Sequence, residues 1–195
     1  MPKVLAAVVL AAVPLAATAA PETYTVDPLH SSVLFAIDHL GLSTVHGRFD
    51  KFAGKFAIDR AAKKGEVELA IDTASVDTHD NDKGSRQRSR DEHLRSADFF
   101  NAAEFPKMTY KSTNVVFTGD NPTTVEGNLT LLGVTKPVSL KLERFKCNAA
   151  TATAKERCGG DASGKLKRSD FGMSRGTPQI GDELALTISF EANKD

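Results

Sequence analysis

Residues 31–49 read SSVLFAIDHLGLSTVHGRF, and this stretch decides the fold class. Within it Val33, Phe35 and Ile37 occupy every second position. The residues between and after them are Leu34, Ala36 and Asp38, and Gly41 then interrupts the pattern. The alternation resumes through a second segment that ends at Phe49. A period of two is typical of β-strands that have one buried face and one solvated face. The stretch therefore predicts two adjacent strands with Phe35, Ile37 and Phe49 on the buried side.

The same alternation recurs along most of the chain. Glycines and an Asn-Pro pair separate the alternating segments at the spacing of hairpin turns. About eight or nine strands are predicted, so we expect an antiparallel all-β fold, closed as a barrel or stacked as a sandwich. An eight-stranded barrel either fills its interior with side chains or leaves room for one ligand. The further alternating positions are Phe56, Ile58, Val67, Leu69, Ile71, Val115, Phe117, Val138, Leu140, Leu142, Leu184, Leu186, Ile188 and Phe190.

One segment lacks the strand period. Residues 80–97 are rich in charge, and we predict a short helical insertion near residues 84–97, with the helix over 85–95 and Asp82 as its cap. Phe99 and Phe100 follow immediately. The segment is either a lid over one end of a barrel or a helix packed on the outside of the sheet.

Residues 1–19 have the features of a secretory signal peptide. They contain one positive charge at Lys3, an apolar stretch at residues 4–15 and a small-residue cleavage signature at residues 17–19. The apolar stretch is shorter than the roughly 20 residues that a membrane-spanning helix needs. We therefore predict export to the periplasm, with residues 20–195 forming a single domain.

Charge and cysteine content narrow the function classes. The chain has 25 Lys and Arg residues against 25 Asp and Glu residues, so it has no bulk basic field for nucleic acid. Cys147 and Cys158 are its two cysteines, and an exported protein can join them. The spacing is not that of a C-x-x-C redox motif, so we predict a structural disulfide between the arms of a long hairpin.

Two motifs that suggest enzymatic chemistry are incomplete. Residues 172–176 match the G-x-S-x-G nucleophile elbow, but the last histidine is His93, so no base follows the serine. Residues 159–165 match most of a P-loop, but Leu166 stands where a Mg²⁺-binding hydroxyl is needed. His39 and His46 flank a turn and are a candidate metal pair, but no third ligand is identifiable. We therefore predict no catalytic residue and no metal site.

Five sequence blocks are spaced across the whole chain after the predicted signal peptide. They are YTVDPLHSSV at residues 24–33, RDEHLRSADFF at 90–100, GNLTLLGVTKPV at 127–138, RSDFGM at 168–173 and IGDE at 180–183. Together these blocks resemble the YceI-like lipid-binding family. The chain departs from the family at Leu132, where many members have histidine, so the role of that histidine does not carry over to this chain.

The resemblance implies a lipocalin-like, eight-stranded antiparallel β-barrel in the periplasm. Its interior would hold a long-chain polyisoprenoid lipid, of polyprenyl or quinone type, and the protein would need no cofactor beyond that lipid. About half of the apolar candidates for the lining could equally be plain core. The candidates are Phe35, Ile37, Phe49, Phe56, Phe99, Phe100, Met108, Leu131, Phe171 and Met173.

Basic side chains beside the insertion are candidates for contacts with the lipid head group. Arg90, His93 and Arg95 could each meet a phosphate or quinone oxygen. Arg90-Asp91, and likewise the Arg-Ser-Asp run at residues 168–170, could instead be internal ion pairs that fix loops.

Two other function classes stay open. One is an enzyme acting on the bound isoprenoid, although Asp91 and His93 would point apart on a helix. The other is a binding module that docks to a membrane electron-transfer protein. A homodimer is a further hypothesis, because small barrels often pair through one sheet face.

Overall fold

The computed structural model describes residues 20–195, so the predicted signal peptide at residues 1–19 lies outside the described residues. The described part of the chain forms eleven strands and one α-helix. No helix in residues 20–195 has the length and apolar content that crossing a bilayer requires. The strands are β1 (Glu22–Val26), β2 (Ser32–His39), β3 (Ser43–Phe49), β4 (Phe52–Asp59), β5 (Lys64–Asp72), β6 (Val76–Asp77), β7 (Lys107–Thr118), β8 (Asn121–Leu131), β9 (Val134–Asn148), β10 (Arg157–Lys167) and β11 (Ile180–Lys194), and the helix is α1 (Arg90–Arg95).

The sheet closes on itself as an antiparallel barrel. Its strand order is β1-β4-β5-β7-β8-β9-β10-β11, and β11 then pairs with β1. The last strand is long enough to serve two neighbours: Lys194 lies opposite Tyr24 on β1, whereas Leu186 lies opposite Phe35 on β2. Along the barrel wall, β2 continues the line of β1, β3 continues the line of β4, and β6 continues the line of β5. The predicted eight-stranded barrel is therefore confirmed over the sandwich.

The barrel has two chemically different ends. At the end that we call the mouth lie the turn at residues 40–42, the insertion at residues 78–106, the turn at residues 132–133 and the segment at residues 168–179. The opposite end, which we call the closed end, has the β9–β10 loop at residues 149–156. Successive hairpin turns of an up-and-down barrel lie at opposite ends, so the strand order decides which loops lie at the mouth and which at the closed end.

The predicted helical insertion is present, but the helix is shorter than predicted. It begins at Arg90 because Ser89 is its N-cap, and a reciprocal capping box joins Ser89 to Glu92. Asp82, the predicted cap, instead accepts a hydrogen bond from the backbone of Gly84 in a turn. The insertion lies across the mouth, which agrees with the lid interpretation.

The closed end is held by the predicted disulfide. Cys147 on β9 lies directly opposite Cys158 on β10, and the two are bonded. Tyr24 is completely buried beside them, and its hydroxyl donates to Glu156 at 2.7 Å. Burial, followed by the hydrogen bond to Glu156, raises the pKa of Tyr24 to about 12. The disulfide and the buried tyrosine together seal this end of the barrel.

Candidate functional site

Three cavities follow one another along the inside of the barrel. A mouth cavity of about 660 Å³ leads to a middle cavity of about 80 Å³ and then to a lower cavity of about 110 Å³. Neighbouring cavities share walls, so side chains rather than backbone separate them. The mouth and middle cavities share Phe35, Phe100, Met173 and Leu184, and the middle and lower cavities share Leu69, Tyr110, Leu140 and Ile188.

The middle cavity is apolar on every side. Tyr110 is its one lining residue that has a polar side-chain atom. That hydroxyl is directed to the backbone carbonyl oxygens of Val125 and Val138, 3.0 Å from each. Burial raises the pKa of Tyr110 above its ordinary value, so the side chain is neutral. An alkyl chain in this cavity would meet no unpaired polar group.

Tyr110 is a fixed part of the wall. Gly127 on β8 makes room for its ring, because a Cβ atom at residue 127 would lie 2.5 Å from the ring carbon Cζ. The aliphatic residues at the same boundary make no side-chain hydrogen bond that fixes them, and Met108 and Met173 on the middle wall are unbranched and adaptable. Joining the middle and lower cavities into one therefore requires aliphatic side chains to rotate while Tyr110 stays in place.

Nine of the ten predicted lining residues lie on a cavity wall. Phe56 is on the lower cavity, and Ile37 and Phe99 are on the mouth cavity. The others line the middle cavity, where Phe100 packs edge-on against Phe49 with 5.4 Å between the ring centres. Those middle residues are Phe35, Phe49, Phe100, Met108, Leu131 and Met173.

Phe171 lies away from the described cavities. It belongs to the 3₁₀ turn Arg168–Phe171 that follows β10, and its side chain is 2% exposed within the core. A 3₁₀ turn rotates each side chain by about a third of a turn, so the strand alternation does not apply to it. The assignment of Phe171 to the lining is therefore corrected to a packing role.

The mouth cavity combines apolar walls with a group of charged side chains. Arg86 and Arg90 both donate to Asp80, at 2.8 and 3.1 Å. The hydrogen bonds from Arg86 and then Arg90 hold the pKa of Asp80 well below its usual range. Two arginines thus share one carboxylate.

A second carboxylate, Asp98, is shared by three basic side chains. His93 Nε2 lies 2.8 Å from Asp98 and Arg88 donates to it at 2.7 Å, whereas Arg175 comes from the other side of the mouth at 3.4 Å. The hydrogen bond from His93, followed by that from Arg88, lowers the pKa of Asp98. Four arginines on the wall of the mouth cavity therefore share two carboxylates.

Arg90 and His93 lie at the mouth, as the head-group prediction requires, but Arg95 does not. Its guanidinium donates to the backbone carbonyl groups of Ala74 and Val76, at 2.7 and 2.8 Å. Arg95 therefore fixes α1 to the segment before β6, and its assignment to the head group is corrected. The ion-pair alternative Arg90–Asp91 is also wrong, because Arg90 pairs with Asp80.

Arg168 braces the mouth from inside the protein. It is 1% exposed, and its guanidinium donates at 2.7 to 3.1 Å to four backbone carbonyl groups. Burial lowers the pKa of Arg168. The contacts fix the segment that holds Arg175. Asp170 is exposed and the guanidinium of Arg168 pairs with carbonyl groups instead, so the ion-pair alternative within residues 168–170 is wrong. The four carbonyl groups belong to Met173, Arg175, Ile180 and Gly181.

The structure separates the two residue pairs that the sequence offered as candidate sites, Asp91 with His93 and His39 with His46. Asp91 is buried and accepts from the backbone and hydroxyl of Thr78, whereas His93 faces the mouth. His39 lies on the mouth cavity, but His46 is exposed on the other face of the hairpin, opposite Ala36. Neither pair can act on one ligand together.

Several wall and mouth residues were missed by the sequence reasoning. Leu69, Leu140 and Ile188 belong to alternating runs, so strand parity could have identified them. Asp98 and Arg175 gave no such signal, because they are 77 residues apart and meet only when the barrel closes.

Comparisons with known proteins agree on one family. A model of the YceI-like domain matches residues 24–192. A UPF0312 protein of Azotobacter vinelandii is 38% identical over 193 residues, which cover 97% of this chain and 96% of the relative. The YCEI protein of Campylobacter jejuni, a solved structure, is 32% identical with a TM-score of 0.65, over 81% of this chain and 90% of that one.

A more distant solved structure shares the fold. It is a polyisoprenoid binding domain from Saccharophagus degradans, implicated in plant cell wall breakdown. The two are 18% identical with a TM-score of 0.62, over 88% of this chain and 98% of that one. At this identity the likeness supports the barrel architecture alone.

Proposed function

The chain belongs to the YceI-like family, and from that premise we propose that it is a periplasmic carrier for a long-chain polyisoprenoid lipid. The tail lies in the middle and lower cavities, and the head group lies at the mouth. The protein binds the lipid without converting it, and it needs no cofactor. The Saccharophagus degradans domain, which has the same fold, is a polyisoprenoid binding domain.

The observation that carries the proposal is the alignment of the three cavities. An eleven-residue strand such as β8 is about 37 Å long, and the tilt of a barrel strand reduces its span along the axis to roughly 28 Å. Such a depth suits an extended chain better than a compact ligand. The two inner cavities are small because side chains meet between them, so the tail takes its place by displacing aliphatic groups such as Leu69 and Ile188.

The mouth supplies polar partners for one end of the lipid. Arg90 and His93 lie on the mouth cavity with Arg86 and Arg88 beside them, and all four carry donors. Such donors suit a phosphate or a quinone oxygen. The ligand class is therefore a polyprenyl or quinone-type lipid with its polar end at the insertion.

The compartment is part of the proposal. The signal-peptide pattern of residues 1–19 favours export. The bonded pair Cys147–Cys158 favours an oxidising compartment, since disulfides persist there and are rare in the cytosol. Cell fractionation with mass analysis of the mature protein tests this part, and a cytosolic protein with an intact N-terminus would contradict it.

The direct test is native mass spectrometry of the protein purified from its own periplasm, followed by extraction and identification of any lipid. We expect a stoichiometric mass surplus that extracts as a prenyl chain. A bare polypeptide that takes up neither added quinone nor added polyprenyl phosphate would refute the carrier function. Recovery of a shortened or dephosphorylated lipid after incubation would instead support the enzyme alternative.

A further inference from the structure

The β2–β3 turn at the mouth presents two leucines to solvent. Leu42 is 83% exposed and Leu40 is 51% exposed. The turn is held in a defined shape: Asp38 accepts a hydrogen bond from the backbone of Gly41, and the backbone of Leu40 donates to Gln179 at 2.7 Å. Two large apolar side chains are therefore displayed on a braced turn.

The exposed leucines continue an apolar path into the barrel. Ile37 on β2 and Val45 on β3 flank the turn, lie opposite each other in the sheet and line the mouth cavity. Phe35 follows two residues further along β2 and also lines the middle cavity. An apolar chain that left a bilayer at the leucines would thus meet apolar side chains all the way to the inner cavities.

Positive charge surrounds the same opening. Arg86, Arg88, Arg90 and Arg175 lie on the mouth cavity, and the carboxylates that pair with them are Asp80 and Asp98. Formal charges at neutral pH therefore give this group an excess of two positive charges. The whole chain, in contrast, has a formal net charge of zero. Two segments of the mouth carry the positive charge, because residues 83–90 and 174–177 contain five basic residues and no acidic one.

We propose that the rim formed by residues 40–42, 83–90 and 174–177 docks on the surface of an anionic lipid bilayer. The leucines insert among the acyl chains, and the arginines lie at the level of the lipid phosphates. Apolar insertion and attraction to anionic lipid are each weak alone and bind a membrane surface when they are combined. The mouth then opens directly onto the phase that holds the isoprenoid. The proposal rests on the proposed function for its purpose, and docking itself needs no bound isoprenoid.

The test is flotation of the mature protein with vesicles made of equal parts of phosphatidylcholine and phosphatidylglycerol, compared with phosphatidylcholine alone. The decisive variant is Leu42→Asp. The matched control is Leu29→Asp, because Leu29 is 88% exposed on the side of the barrel, in the 3₁₀ turn Pro28–His30. We expect the wild type and the control to float equally with the anionic vesicles, and Leu42→Asp to bind at least about tenfold more weakly.

Two further readouts separate docking from the proposed function. Arg175→Gln should weaken binding to anionic vesicles a few-fold, and added salt should weaken wild-type binding, since both reduce the same attraction. Leu42→Asp should take up detergent-dispersed polyprenyl phosphate as the wild type does, because Leu42 lies outside the cavity walls. Equal flotation of Leu42→Asp and Leu29→Asp would overturn the docking proposal, and so would equal wild-type binding to neutral and anionic vesicles. Failure of lipid uptake with normal flotation would refute the carrier function alone.

Discussion

Filling the lower cavity should stabilise the protein and weaken its binding of lipid. Ala162 on β10 is 5% exposed and lies on the wall of the lower cavity, whose volume is about 110 Å³. The substitution Ala162→Leu adds three carbons, each near the roughly 30 Å³ that a water molecule occupies in the liquid, so the side chain fits the space. It replaces an empty volume with dispersion contacts.

The expected gain in stability follows from the area removed from water. Three buried carbons contribute about 2.4 kcal/mol at roughly 0.8 kcal/mol each. Ordering the leucine side chain costs about 0.5–1 kcal/mol. We expect the free energy of unfolding of the lipid-free protein to rise by about 1–2 kcal/mol, and Tm to rise by roughly 2–8 °C.

The same substitution should displace the end of the tail. A tail that loses contact equivalent to three methylenes loses about 2.4 kcal/mol, which corresponds to roughly fiftyfold in Kd. Chemical denaturation measures the stability, and competition with a fluorescent polyprenyl probe measures the affinity. The matched control is Ala185→Leu, because Ala185 is exposed on the outer face of β11.

Two results would refute this reasoning. If Ala162→Leu is more stable than the wild type but binds lipid with unchanged affinity, the tail does not reach the lower cavity. If Ala185→Leu weakens binding as much as Ala162→Leu does, the loss does not come from occupation of the cavity.

Three further predictions concern the barrel itself. Tyr24 and Tyr110 are the only tyrosines, and burial raises the pKa of both, so their stabilising effect is complete below pH 10 and is lost as pH rises towards 12 and above. Near-ultraviolet absorbance should accordingly show no tyrosinate at pH 10 in the folded protein, and a normal titration there would contradict their burial. Gly127→Ala places a methyl group 2.5 Å from the ring of Tyr110 and should cost roughly 1–3 kcal/mol in chemical denaturation; an unchanged midpoint would show that the ring is not held as described. Arg168→Met leaves four carbonyl groups, one of them in a fully buried hydrogen bond, without their donor and should cost about 1–3 kcal/mol, with faster hydrogen exchange in residues 173–181; unchanged exchange there would exclude the bracing role.

The strand faces could be read from the sequence because strand geometry is local. Successive side chains of a strand point to opposite sides, so Phe35, Ile37 and Phe49 share one face wherever the strand lies in the fold. The disulfide could also be predicted from the sequence, because a protein with two cysteines that is predicted to be exported has one possible intramolecular pairing. Strand parity could not place Phe171, because it lies in a 3₁₀ turn that does not follow the strand period.

Only the tertiary structure determines which side chains meet at the mouth. Asp98 meets Arg175 across 77 residues, and Arg168 is buried against carbonyl groups that no spacing in the chain indicates. Closure of the sheet brings Asp98 and Arg175 together, whereas the contacts of Arg168 depend on how the chain folds between β10 and β11. The chain pattern left closure open between a barrel and a sandwich. The alternation of apolar residues determines which side chains of a strand face inward, because that direction depends only on residues one or two positions away along the chain. The charges that meet at the opening, and the cavities behind them, depend on which distant strands become neighbours, and that is decided by packing the whole sheet.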